Sequence, residues 1–121
     1  MSDWATPGAN AILDGGALPT TLYVQAHLGD PGANGTANVS ADTRRVACTF
    51  DAAAGGAMVS AADAEVSAWT ATETITHISI WGSSTGGTCY FINDIANVDI
   101  VAGEVLSIAQ AALTITLTVW T

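Results

Sequence analysis

Hydrophobic and polar residues alternate with a period of two over most of the chain after residue 20. The alternation is clearest in 21–28, where Leu22, Val24 and Ala26 share one side, and in 113–119 near the C-terminus. Such alternation is typical of β-strands. The same pattern predicts further strands at 45–50, 58–60, 64–69, 73–81, 88–95, 98–101 and 105–108. Strands at this spacing, separated by turns, predict an all-β domain of the β-sandwich or jelly-roll type.

Turn residues divide these strands. Gly29-Asp30-Pro31-Gly32 combines a proline, two glycines and an aspartate that can cap its own backbone. Residues 83–88 contain Gly86-Gly87 and predict a hairpin between the strand 73–81 and the strand that follows. The strand 73–81 carries apolar residues on both faces, so we expect it at the centre of a sheet.

The first twenty residues have a different character, because Pro7-Gly8, Gly15-Gly16 and Pro19 interrupt them. They predict an N-terminal arm with one short helix over 9–14, followed by a single β-sandwich domain over 21–121. Trp4 is the one large apolar residue in the extended segment 1–6 of this arm. An aromatic residue on a terminal arm packs on its own domain or on a neighbouring molecule.

Composition narrows the possible functions. The chain has eleven acidic residues against two basic ones and a net charge of -9. Nucleic-acid binding requires many cationic side chains, and an acidic membrane surface would repel the chain, so we expect neither partner. Only 11% of residues are charged, against about 25% in typical domains. A surface with so few charged residues favours a protein that is part of a larger assembly.

No catalytic or metal-binding constellation is visible. His27 and His77 lie in predicted strands without an adjacent nucleophile motif, and Cys48 and Cys89 lie in apolar runs where cysteine acts as a small hydrophobic residue. Oxygen donors in the loop 30–42 form turns more often than calcium sites. We therefore expect no enzyme activity, no cofactor and no bound metal. Without a signal peptide or an apolar span, we expect synthesis in a cytosol.

Two features are candidates for contact with a partner. Arg44 and Arg45 are the only arginine or lysine residues of the chain. Either they pair with nearby acids such as Asp42 and Asp51, or one of them reaches a carboxylate on a partner subunit, where arginine is favoured for its rigid fork. Trp120 near the C-terminus is the second candidate, and its alternative role is to close the core of its own domain.

Several short segments resemble small structural proteins of tailed-phage virions, including head-decoration, minor structural and tail-fibre-like proteins. The segments are Leu22-Tyr23-Val24, His27-Leu28-Gly29-Asp30-Pro31-Gly32, Gly35-Thr36-Ala37-Asn38, Ile75-Thr76-His77-Ile78-Ser79-Ile80-Trp81, Thr85-Gly86-Gly87 and Val101-Ala102-Gly103-Glu104. The resemblance covers residues 13–119. It departs at Leu28, where a small polar residue is expected, and at Val39, where an acid is expected.

The resemblance implies a β-sandwich without catalysis that is assembled in the host cytoplasm and resides on the virion. Our first expectation is a capsid decoration protein that binds the major capsid protein as a homotrimer, with Trp4, Arg44, Arg45 and Trp120 as contact residues. The alternative is a tail-fibre or tail-tip module that recognises a host glycan through exposed aromatic residues such as Tyr23, Trp69 or Trp81.

Overall fold

Antiparallel β-strands make up nearly all the regular structure of the protein. A computed structural model describes residues 2–8, 21–51, 57–108 and 114–116. The strands are β1 (Ser2–Trp4), β2 (Thr21–His27), β3 (Val46–Thr49), β4 (Ala57–Val59), β5 (Ala64–Val66), β6 (Glu73–Trp81), β7 (Cys89–Ile100), β8 (Leu106–Ile108) and β9 (Thr114–Thr116). The all-β prediction is confirmed. Within the described ranges, no helix is long and apolar enough to cross a membrane.

The main sheet has five strands in the order β1-β7-β6-β2-β3. The prediction that 73–81 lies at a sheet centre is confirmed, because β6 pairs with β7 on one side and with β2 on the other. Its second half is buried on both faces: Ile78 and Ile80 lie on one face, and Ser79 and Trp81 on the other. Because both faces are buried, the sequence of β6 does not alternate simply between apolar and polar residues.

Two short ladders, β4–β9 and β5–β8, lie outside the main sheet. Ala57 pairs with Thr116 in the first ladder, and Ala64 pairs with Ile108 in the second. The hydrophobic core combines apolar side chains of the main sheet with Met58, Ala64, Val66 and Trp69 from the region of the short ladders. The apolar side of the main sheet is therefore covered as in a two-layer β structure.

One strand prediction is wrong. The sequence predicted separate strands at 88–95 and 98–101, whereas β7 runs without a break from Cys89 to Ile100. The link Ala96-Asn97 contains no glycine or proline, and β6 supplies ladder partners beyond it, with Ile75 opposite Val98. A register shift between Ile75 and His77 absorbs the irregularity.

The N-terminal residues join the main sheet as its edge strand. Trp4 lies opposite Phe91 in the β1–β7 ladder, and the two rings meet edge to face with their centroids 5.5 Å apart. Residues 6–8 form one helical turn, and Gly8 packs so closely that a Cβ there would lie 2.3 Å from Tyr90 Cα. The helix predicted over 9–14 lies outside the described residues. The division into an arm, 1–20, and a sandwich, 21–121, stays a prediction.

Replacement of Trp4 tests how much this edge strand stabilises the domain. We expect Trp4→Ala to lower the free energy of unfolding by about 1–3 kcal/mol, because the ring is partly buried against the core and pairs with Phe91. Urea denaturation measures the change. Leu28→Ala is the control, since Leu28 is 42% exposed and should change stability by about 0.5 kcal/mol or less. Equal effects of the two variants would contradict a stabilising role for β1.

Candidate functional site

The main sheet has a second, more polar face. In the β2–β6 ladder His27 lies opposite His77, Gln25 opposite Ser79 and Tyr23 opposite Trp81. Residues directly opposite in an antiparallel pair project to the same side. One face of these strands therefore carries the polar and aromatic side chains Tyr23, Gln25, His27, His77, Ser79 and Trp81, which we call the polar face.

A chain of buried hydrogen bonds links three side chains of the polar face. His27 Nδ1 donates to Ala37 O at 2.8 Å, so the neutral ring leaves Nε2 as an acceptor. The Ser79 hydroxyl donates to His27 Nε2 at 2.7 Å and accepts from Trp81 Nε1 at 2.7 Å. Burial lowers the pKa of His27, and the nearby His77 and Arg45 act in the same direction. The geometry therefore stabilises a neutral imidazole with a fixed tautomer.

The loop 28–40 covers this end of the polar face. Gly32 N donates to Asp30 Oδ1 at 2.8 Å, which is the backbone cap that the sequence predicted for this turn. Gly35 has φ +72, and a Cβ on it would lie 2.5 Å from Cys89 Sγ. A glycine at this position allows the loop backbone to lie directly on Cys89, so that the loop covers His27.

Arg45 fastens a second loop onto the same face. Its guanidinium carbon lies 4.1 Å from the centroid of the Trp81 ring. Arg45 Nη1 donates to Ser83 O at 2.7 Å and to Gly86 O at 2.8 Å, while Nε contacts Gln25 Oε1 at 3.4 Å. One arginine thus joins the hairpin loop 82–88 to the start of β3 through a cation–π contact and two charge-assisted hydrogen bonds.

Arg44 is held by a different set of partners. Its Nε and Nη2 bind Asp42, with the shortest contact, from Nη2 to Oδ2, at 2.6 Å, and Nη2 also donates to Ala68 O at 3.0 Å. Asp42 is buried and accepts a further bond from Thr70 N at 3.1 Å. The side-chain hydrogen bonds from Arg44 lower the pKa of Asp42 to about 2. The carboxylate therefore stays ionised and ties the loop before β3 to residues 68–70.

The two arginines line one solvent-open groove. Its volume is about 550 Å³, within the range of about 300–1,000 Å³ that is common for small-molecule sites. The lining residues are Thr43, Arg44, Arg45, Glu65, Val66, Ser67, Ser84 and Thr85. The start of β3, the end of β5 and the hairpin loop therefore contribute to it together. We call this surface the arginine groove.

The structure brings some of the predicted contact residues together and separates others. Arg44 and Arg45 share the arginine groove. Trp4 lies at the edge strand β1, beside a separate cleft with Asp30 and Ile92. Trp120 lies outside the described residues. A partner role for these four residues stays a prediction, although Arg44 forms the predicted intramolecular pair with Asp42.

The aromatic residues proposed for glycan stacking need a correction. Trp69 and Trp81 are only 2% and 7% exposed. Trp69 donates through Nε1 to Glu73 Oε1 at 3.0 Å and belongs to the core, and Arg45 stacks on Trp81. Tyr23 is partly buried beside Trp81. Neither tryptophan therefore offers a face on which a sugar can stack. The sequence did not indicate this, because period-two alternation does not show which loop will cover a strand.

The cysteines and histidines do not assemble into a metal-ligand cluster within the described part of the chain. Cys48 and Cys89 are free and buried, on strands separated by β6 and β2. Burial raises the pKa of each thiol to about 11, so both are protonated near neutral pH and act as core residues. Ser79, which the sequence analysis missed as the partner of His27, lies 52 residues away in the chain and carried no local motif.

Comparison with known families links the chain to a family of phage proteins. The family model described as "Podophage GP4 fiber I protein gp80" matches residues 4–116, which is nearly the whole chain. The matched region includes the polar face, both arginines and the main-sheet strands β2, β3, β6 and β7. No curated protein sequence matches the chain.

The buried His27 predicts an acid-sensitive stability. The unfolded chain takes up a proton near pH 6.5, whereas the folded protein resists protonation because the pKa of His27 is lowered. The free energy of unfolding should therefore fall as the pH drops below about 6.5, by at most about 1.4 kcal/mol per pH unit for one proton. Urea denaturation from pH 7 to pH 5 measures this slope above the range in which Asp42 titrates.

His27→Gln should remove this contribution to the slope, whatever its effect on stability at pH 7. His77→Gln is the matched control, because it keeps the burial of His27, which is the main cause of its lowered pKa, and should therefore keep most of the slope. The same slope in His27→Gln as in the natural protein would show that the buried imidazole is not its source.

The clamp formed by Arg45 predicts a local effect on the hairpin loop. Arg45→Lys keeps the charge but loses the planar guanidinium that stacks on Trp81 while its Nη1 donates to both Ser83 O and Gly86 O. We expect a loss of about 1 kcal/mol in stability and faster amide hydrogen exchange in the loop 82–88. Exchange in the loop 28–40 serves as the internal control. Unchanged exchange in 82–88 would contradict the clamp.

Proposed function

The chain belongs to the family described as Podophage GP4 fiber I protein gp80, and on this basis we propose that it is a non-enzymatic structural subunit of a tailed-phage fibre. The observation that carries the proposal is the family match across residues 4–116. The all-β fold supports it, because the protein consists of antiparallel ladders around a core and can serve as a rigid building block.

We place the protein in a tail fibre rather than on the capsid surface. The family description names a fibre protein, which favours the alternative of the sequence analysis over capsid decoration. In this proposal the major capsid protein is not its direct partner. Binding of a host-surface glycan is then the natural role of an exposed groove, although not through the buried rings of Trp69 and Trp81.

A non-enzymatic role agrees with the chemistry of the polar face. The His27–Ser79 pair resembles the first two members of a hydrolytic triad, but both residues are fully buried. The Ser79 oxygen also accepts a bond from Trp81. A nucleophile must meet its substrate, and here the loop 28–40 lies over the pair. The hydrogen bonds therefore serve to join β2, β6 and this loop.

We further propose that the protein works as a homo-oligomer, with a trimer as the expected state. Three valines near the end of β7 support an intersubunit surface: Val98, Val101 and Val105 are 37%, 53% and 48% exposed. Apolar side chains that are exposed and near one another in the chain are candidates for contact with another molecule.

Cryo-electron microscopy of the source virion tests the placement. We expect density that fits the domain within a fibre attached to the tail, repeated by the symmetry of that fibre. An antibody against the domain, bound to intact particles, provides an independent label. Regular density over the head lattice would instead support capsid decoration and contradict the fibre placement.

A further inference from the structure

We propose that the arginine groove binds the carboxylate of an acidic saccharide, such as a uronic acid unit of a cell-surface polysaccharide. The inference rests on the proposed fibre function, which brings the protein to a cell surface. It goes beyond that function because it assigns a site, named residues and a ligand class.

The distribution of charge singles out this groove. The chain has two basic residues against eleven acidic ones, and both basic residues line the same groove. An anionic ligand is repelled by the net charge of -9 and gains attraction only near the two guanidiniums. Electrostatic attraction therefore favours binding of an anion at the arginine groove.

Both guanidiniums are held in place before a ligand arrives. Asp42 and Ala68 O orient Arg44, while Trp81, Ser83 O and Gly86 O orient Arg45. Among the described residues, these contacts leave Arg44 Nη1 and Arg45 Nη2 without a hydrogen-bond partner. Such nitrogens are donors suited to a planar carboxylate, and their orientation costs little entropy on binding.

Arg45 is the stronger attractor of the two. Arg44 is neutralised by Asp42 at 2.6 Å, whereas Arg45 binds carbonyl oxygens and an aromatic ring and has no carboxylate partner among the described residues. Its partly buried charge is therefore uncompensated, which favours an external anion.

The rest of the groove suits a hydroxylated ligand better than a protein surface. Four of the remaining lining residues carry hydroxyl groups: Thr43, Ser67, Ser84 and Thr85. The one aliphatic lining residue, Val66, is buried at 9% exposure, whereas the centre of a protein interface is usually apolar and rich in aromatic residues. Hydroxyl groups that both donate and accept match the hydroxyls of a sugar ring.

Glu65 is the acidic residue of the groove and provides a way to tune the site. It is exposed and lines the groove together with both arginines. Its charge opposes a carboxylate ligand, so its removal should strengthen binding. Neither Glu65 nor Thr85 contributes to the clamps on the guanidiniums, so both can be replaced with little risk to the fold.

The test is a titration of the full chain with trigalacturonic acid, followed by amide chemical shifts. The fully methyl-esterified trisaccharide is the matched ligand, because it keeps the sugar ring and lacks the charge. We expect the acid to bind about tenfold more tightly than the ester, to shift the signals of residues 43–45 and 83–86, and to weaken as salt is added.

Three variants locate the site. We expect Thr85→Glu to weaken binding of the acid about tenfold and Glu65→Gln to strengthen it about threefold, as one charge within several Å of the ligand should. Thr36→Glu adds the same charge on an exposed residue of the other loop and should leave binding close to that of the natural chain. The proposal is overturned if Thr85→Glu and Thr36→Glu behave alike, or if the acid and the ester bind equally.

A subunit contact is the rival occupant. If sedimentation shows an oligomer that Thr85→Glu dissociates, while the natural chain binds no acidic saccharide, the groove receives a partner carboxylate and the proposal fails. The fibre assignment is judged separately by the density in the virion. Fibre density without saccharide binding would reject this inference alone, whereas head-lattice density would reject the proposed function.

Discussion

The pairing register between β2 and β6 is the constraint on which the rest of the structure depends. It places Val24 opposite Ile80 on the core side, and Gln25 opposite Ser79 on the polar face. A slip of one residue between β2 and β6 would exchange the two faces of one strand and place side chains of the polar face, such as His27, in the apolar core. The bond between His27 on β2 and Ser79 on β6 requires this register. The polar face therefore helps to specify the sheet that carries it.

Much of the fold could be predicted from alternation and turn chemistry. The alternation that predicted a strand over 45–50 matches the burial of β3: Val46, Cys48 and Phe50 lie in the core, while Ala47 and Thr49 are exposed. The continuous β7 was missed, because extra residues on β7 between Asp94 and Val98 shift the register and let the ladder with β6 continue past Ala96-Asn97. A bulge is a property of two strands together, and one strand's sequence does not show it.

The candidate site was predictable only in part, for a related reason. The scarcity of cations drew attention to Arg44 and Arg45, and the pair with Asp42 is local enough to be foreseen. The contacts of Arg45 join residues 38 and 41 positions away in the chain, and Glu65 meets the arginines only in the groove. Such neighbours are set by the packing of three loops and strands. Hydrophobic pattern shows which face of a strand is buried, but not what buries it.

The use of arginine at both cationic positions follows from the number of bonds each must form. Arg45 stacks on Trp81, contacts Gln25 and donates to two carbonyl oxygens, and its Nη2 takes no part in these hydrogen bonds. Lysine has three donors on one nitrogen and no planar surface, so it could not hold the hairpin loop and present a separate donor nitrogen at once. A chain with only two cations can thus use each one for its own fold and still offer it to a ligand.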